Sequence, residues 1–261
     1  MSGLALTVRQ AGYGLRVLSR NPRALVFGVV FPVILLVIFA SVFAKGGDES
    51  TRFQGGEIDT DAYFAAGMIA YSIMFSAFSN TAIALTTQRE SGLLKRFRAT
   101  PVPAWTFIAA QVLRAIVLVA VMTAALLAIA HLVYGVDLSA EGFAELAIFV
   151  VLGTAAMCAL GVALTAVTTT PDSASTIAPF STVLLAFVSG VFIPTDELPR
   201  FLVDAGRVFP LAHLAEGLQA AFGTGDVHLS GTNVAVLALW GVGGIVVAAR
   251  AFRWQPRAAA G

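Results

Sequence analysis

Residues 24–44 read ALVFGVVFPVILLVIFASVFA, a run without a charged side chain. About 20 consecutive apolar residues suffice for a helix to cross the hydrocarbon core of a bilayer. Pro32 lies inside the run and lacks a backbone donor; a spanning helix tolerates this where neighbouring helices satisfy the freed carbonyl. Both the run and the polar segment before it are too long for a cleaved leader, so the stretch reads as a retained span.

The pattern recurs along the chain. Residues 62–87, 146–171 and 173–195 are uncharged, 104–133 carry only Arg114, and a last run over about 228–249 ends before Arg250. Composition agrees: 58% of residues are hydrophobic and 12% charged, and the mean hydropathy is +0.86. A soluble domain is roughly one quarter charged. So much apolar surface needs lipid as its solvent. The expected fold is an all-α integral membrane protein, one transmembrane domain over 1–261 with six transmembrane helices.

Six spans put both termini on one side, and basic residues in short loops say which side. Arg9, Arg16, Arg20, Arg23, Arg89, Lys95, Arg96, Arg98, Arg250, Arg253 and Arg257 fall on the side of the termini; Lys45, Arg52, Arg200 and Arg207 fall on the other. Both termini are therefore expected in the cytoplasm. Within residues 1–23, Leu4, Val8, Ala11, Leu15 and Leu18 form one apolar helical stripe beside a basic face. Such an amphipathic helix lies at the interface, with its basic face on membrane lipids.

Between spans five and six, residues 193–222 mix apolar and charged positions and are broken by Pro194, Pro199 and Pro210. The three- and four-residue recurrence of Leu198, Phe201, Leu202 and Ala205 predicts a short helix, and a second begins near Pro210. Neither is long enough to span, so both are expected to re-enter the outer leaflet, a structured external loop being the alternative.

Several chemistries are missing. No G-x-x-x-x-G-K-[ST] phosphate loop occurs. Ser189-Gly190 lacks the preceding glycine of a nucleophile motif, because residue 187 is Phe, and His131, His213 and His228 sit towards outer ends and loops. No catalytic constellation can be assigned, so the chain is not read as an enzyme. Cys158 is the one cysteine and reads as an apolar packing residue; no Cys/His cluster suggests a metal. A net charge of +1 gives no reason to expect nucleic acid. No Asp or Glu lies in the expected membrane interior, where an ion-coupled carrier would keep one. Ser76, Ser79 and Asn80 are polar positions inside span two. They line a path or, more commonly for such residues, hold helices together. Arg114 either faces that path or snorkels to the cytoplasmic interface, and the cost of a central charge favours snorkelling.

The dense charge lies in QRESGLLKRFRATPVP, residues 88–103, between spans two and three. Gly92 breaks the helix leaving span two, Leu93, Leu94 and Phe97 give an apolar side, and Pro101 and Pro103 stop the segment before span three. The expected product is a short stiff helix across the cytoplasmic surface. A loop that only sets topology needs the Lys and Arg but no such Gly/Pro frame.

This stretch resembles the E-R-E-x-G-x-x-K-R-x-R-x-T-P segment of type-2 ABC exporter permeases. SGVFIPTDELPRFL and FPLAHLAEGLQ resemble that family's S-G-x-x-x-P…L-P and N-P-L-T-H segments. Gln88 stands where the family often has Glu, and Phe209 and Ala212 replace the usual Asn and Thr. With the six spans and the amphipathic start, the resemblance covers nearly the whole chain, and it is nearest to drug- and daunorubicin-resistance-type half-transporters, hence multidrug resistance as a theme.

The resemblance implies a coupling helix that plugs into a separate ATPase subunit. The positions carried over are Gln88, Arg89, Glu90, Ser91, Gly92, Leu93, Leu94, Lys95, Arg96, Arg98 and Pro101. It also implies an outer gate or hinge at Gly190, Pro194, Phe201, Leu202 and Pro210. The expected assembly holds two permease copies, a homodimer in the simplest case, and two ABC ATPase subunits that carry ATP and Mg. No cofactor is expected on this chain. The expected activity is export of an amphipathic drug, lipid or natural product across a prokaryotic cell membrane. An ATP-independent carrier or a membrane scaffold is the alternative.

Overall fold

The computed structural model describes residues 9, 12–13, 26, 30–43, 50–53, 56–99, 104–223 and 229–251. The amphipathic helix expected over 1–23 (Arg9, Gly12 and Tyr13 apart), most of residues 24–29, and Pro101 and Pro103 lie outside the described residues. So does the side chain of Arg98.

The order is α1 (Phe31–Phe43), β1 (Ser50–Phe53), β2 (Gly56–Asp59), α2 (Thr60–Glu90), α3 (Leu93–Arg98), α4 (Ala104–Tyr134), α5 (Ala140–Leu164), α6 (Pro171–Val188), α7 (Arg200–Arg207), α8 (Pro210–Ala220) and α9 (Gly231–Ala251). α2, α4, α5 and α9 are long and apolar enough to cross a membrane. The described part of α1 has 13 residues and α6 has 18, so length and apolarity alone mark four spans among the described residues, not six. The all-α expectation takes one exception: β1 and β2 form an antiparallel hairpin, with Ser50 opposite Asp59 and Thr51 opposite Ile58. Its Thr51 hydroxyl meets that of Thr60 at 2.7 Å, which ties the hairpin to the start of α2.

α2 is the axis of the bundle. It is buried almost continuously from Ala62 to Ser79 and touches α1, α4, α5, α6 and α8. Its middle, Met74–Ser79, widens into a π turn between two α segments. Such turns break the regular ladder and occur often at functional sites. The aromatic rings of Phe39 and Phe43 on α1 stack against Phe64 at 5.2 and 5.4 Å.

Helix ends follow local sequence. The Ser139 hydroxyl accepts from the Gly142 amide at 3.0 Å and caps α5. Thr170 and Ser173 form a reciprocal capping box at α6, with Pro171 in the first turn. Gly190 ends α6 at φ 71°, and Val191 N–H reaches back to the Ala186 carbonyl at 3.3 Å; a residue with a Cβ resists that left-handed conformation. α9 runs along α5. Helices lacking an aqueous hydrophobic drive associate through small residues that allow close approach, and a Cβ at Gly244 would stand 2.9 Å from the Ala159 carbonyl carbon.

Candidate functional site

The charged insert forms an elbow at one end of α2. Ser91 N–H continues the helical pattern to the Thr87 carbonyl at 3.0 Å, then Gly92 takes φ 73° and the chain turns into α3. Gly92 is left-handed and has open space around it, so its backbone, not crowding, selects glycine there. Arg96 N–H donates to the Gly92 carbonyl at 3.1 Å and closes the first turn of α3.

The two adjacent leucines part company. Leu94 is fully buried against Leu85, Phe107 and Val162 of its own chain, with Phe97 beside it. The Phe97 and Phe107 rings lie 5.2 Å apart. Leu93 points the other way and is 50% exposed. Glu90, Ser91, Lys95 and Arg96 share that exposed surface. Of the two leucines on the expected apolar side, only Leu93 is exposed; Leu94 fixes α3 to α2, α4 and α5. Gln88 is half-buried and accepts from Gln111 Nε2 at 3.4 Å.

Arg89 turns inward and is buried, 6% exposed. Its Nη1 donates to the Thr165 carbonyl at 3.0 Å, and its Nη2 donates to those of Thr168 and Thr169 at 2.6 and 3.1 Å. These acceptors are the C-cap of α5 and the turn to α6. A guanidinium suits them, because the last carbonyls of a helix are unsatisfied and carry the negative end of its dipole. The sequence offers Arg89 as one more surface cation; its partners, 76 to 80 residues away, leave no local signal.

The opposite end of the bundle holds the expected hinge residues. The Gly190 carbonyl accepts from Tyr63 OH at 2.5 Å and from Gln219 Nε2 at 3.4 Å. α2, α6 and α8 therefore meet at this one carbonyl. Pro194 borders a small open cleft of about 200 Å³ with Thr51, Asp196 and Glu197. Phe201 stands 70% exposed on α7 and Leu202 is half-buried. Pro210 is buried at the start of α8, which inserts between α2, α5 and α9. His213 joins α7 to α9: Nδ1 lies 2.8 Å from Asn233 Oδ1, and Nε2 lies 3.0 Å from the Arg207 carbonyl. Burial raises the pKa of the neighbouring Glu216 carboxyl, against the pull of His213, Arg207 and Asn233. Glu145 stands just before the charge-free run over 146–171, yet it is buried in the second turn of α5.

Within the bundle, Ser79 bonds Thr182 on α6 at 2.7 Å, and Ser76 donates to Met122 Sδ on α4 at 3.2 Å. Both serines tie helices together here. Asn80 Nδ2 is buried with no hydrogen-bond partner among the described residues. Arg114 is half-buried on α4. The structure thus brings Glu90, Ser91, Leu93, Lys95 and Arg96 onto one surface and separates Arg89 and Leu94 from them.

Residues 11–222 match the family described as "ABC-2 type transporter". A relative from Bacillus subtilis (strain 168), described as "Putative transport permease YvfS", is 21% identical over 198 residues, which cover 76% of this chain and 78% of the relative.

Proposed function

The chain belongs to the ABC-2 type transporter family and is a membrane component of a transporter, and we propose that it is the permease half of an ATP-driven exporter. The observation that carries this reading is the exposed surface of α3 and its elbow, with Leu93 set among Glu90, Lys95 and Arg96. An apolar anchor ringed by charge on a rigid six-residue helix fits a docking contact better than a topology signal, which needs no Leu and no left-handed glycine. The family's partner for such a helix is an ABC ATPase subunit.

The complete proposal has six spans, with α1 and α6 crossing alongside the four long helices, and both termini in the cytoplasm of a prokaryotic cell. α7 and α8 dip into the outer leaflet as a gate. Two permease copies, alike in the simplest case, enclose the path, and two ATPase subunits supply ATP and Mg. The cargo is an amphipathic drug, lipid or natural product.

Leu93→Asp and Glu90→Ala test the docking contact. Anchors at the centre of an interface commonly cost about 2 kcal/mol or more when removed, so each variant is expected to lose most co-purification with the ATPase subunit. Arg98→Ala, which removes one of several cations in the segment, is expected to cost roughly 0–1 kcal/mol. Undiminished subunit binding and ATP-driven export in both Leu93→Asp and Glu90→Ala would reduce the segment to a topology signal.

A further inference from the structure

Arg89 lies one residue from the exposed docking surface yet faces away from it. We infer that Arg89 is the positioning residue that carries motion from the coupling helix to α6, an inference that rests on the docking role proposed for α3. Its guanidinium joins two places that the chain leaves unconnected for more than seventy residues. One is the last turn of α2, from which Gly92 swings directly into α3. The other is the Thr165–Thr169 stretch, gripped through three carbonyls.

The grip continues without a break into α6. Thr169 adjoins Thr170, and Thr170 is locked to the first turn of α6 by reciprocal bonds with Ser173, both at 3.2 Å. α6 then packs along the π turn and the second α segment of α2. Its far end is held at the Gly190 carbonyl by Tyr63 and Gln219. A displacement of α3 therefore reaches the start of α6 through hydrogen bonds to rigid elements, and the far joint makes α6 pivot instead of fraying.

The chemistry of the side chain fits this task. A rigid fork of donors reaches several carbonyls at once and holds their relative positions. Lysine keeps the positive charge at the end of α5 but presents a single flexible ammonium. A cation needed only to offset the helix dipole would be replaced by lysine with little loss; a brace would not.

Electron spin resonance distances in the full chain with its ATPase subunit test the brace. With Cys158→Ala as background, labels at Ala99→Cys and Ser175→Cys report α3 against α6, and labels at Ala99→Cys and Glu57→Cys report α3 against the far hairpin. ATP with orthovanadate is expected to change the second distance and leave the first unchanged. Helix shifts of this kind run to about 1–2 Å or more. Arg89→Lys is expected to retain the ATPase subunit, because the exposed face of α3 is intact, while the Ala99–Ser175 distance shifts or broadens on ATP binding. An Ala99–Ser175 distance that changes with ATP when Arg89 is present overturns the inference, as does an Arg89→Lys protein indistinguishable from the parent. If no ATPase complex forms, or the Ala99–Glu57 distance ignores ATP, the docking role itself fails and the inference falls with it.

Discussion

Leu93 and Leu94 show how much one residue's direction decides. Leu94 is sealed among Leu85, Phe107 and Val162, so Leu94→Ala leaves a cavity and is expected to destabilise the protein by about 2–4 kcal/mol, read as a fall in the thermal midpoint in detergent. Leu93→Ala removes an exposed side chain and is expected to leave that midpoint unchanged. Equal effects of the two substitutions would contradict the packing. Glu216 gives a pH signature. Burial raises its pKa above the ordinary 4.5, so folding favours the protonated carboxyl. Its favourable contribution is complete below pH 4.5 and is lost as pH rises through the raised value. Stability measured against Glu216→Gln should therefore decline from acid towards neutral pH, and a flat difference would show that His213, Arg207 and Asn233 fully offset burial. Which leucine turns inward was not legible, because a six-residue helix shows too little period to set a phase. Arg89 was equally opaque: a basic residue in a basic loop announces charge, not the carbonyls it grips on another loop.

At the scale of elements, the sequence was most readable where the cause is local. Gly92 marked its turn because it adopts a positive φ, whereas the charge-free run over 173–195 passed through Gly190 and hid the turn that ends α6 there. Long apolar runs with at most one charge foretold α2, α4, α5 and α9. The hairpin of β1 and β2 escaped, since four-residue strands beside glycines carry little periodicity. The burial of Glu145 escaped as well, because α5 begins a turn and a half before its charge-free run and brings the carboxylate inside. The joint between α2, α6 and α8 invites a direct measurement. Tyr63→Phe leaves the Gly190 carbonyl with only the longer bond from Gln219. A buried acceptor that loses its better donor costs about 1–3 kcal/mol, so Tyr63→Phe should lower the thermal midpoint while Tyr134→Phe, whose hydroxyl is exposed, should not.

For the whole molecule, α2 links the two ends of the bundle: the elbow that carries α3 at one, and the hairpin and the Tyr63 joint at the other. Four of the described helices meet the needs of a membrane span unaided, and α1 and α6 complete the proposed six by flanking α2. In that arrangement the α3 surface faces the cytoplasm, the only side on which an ATPase subunit can reach it. Labelling intact cells with a membrane-impermeant maleimide tests this most directly. In a Cys158→Ala background, cysteines replacing Ser50 and Ser139 should react from outside, and one replacing Ser91, exposed at the elbow, should react only after the membrane is opened. Reaction of the Ser91→Cys protein in intact cells would place the elbow outside and contradict the coupling of this chain to an ATPase.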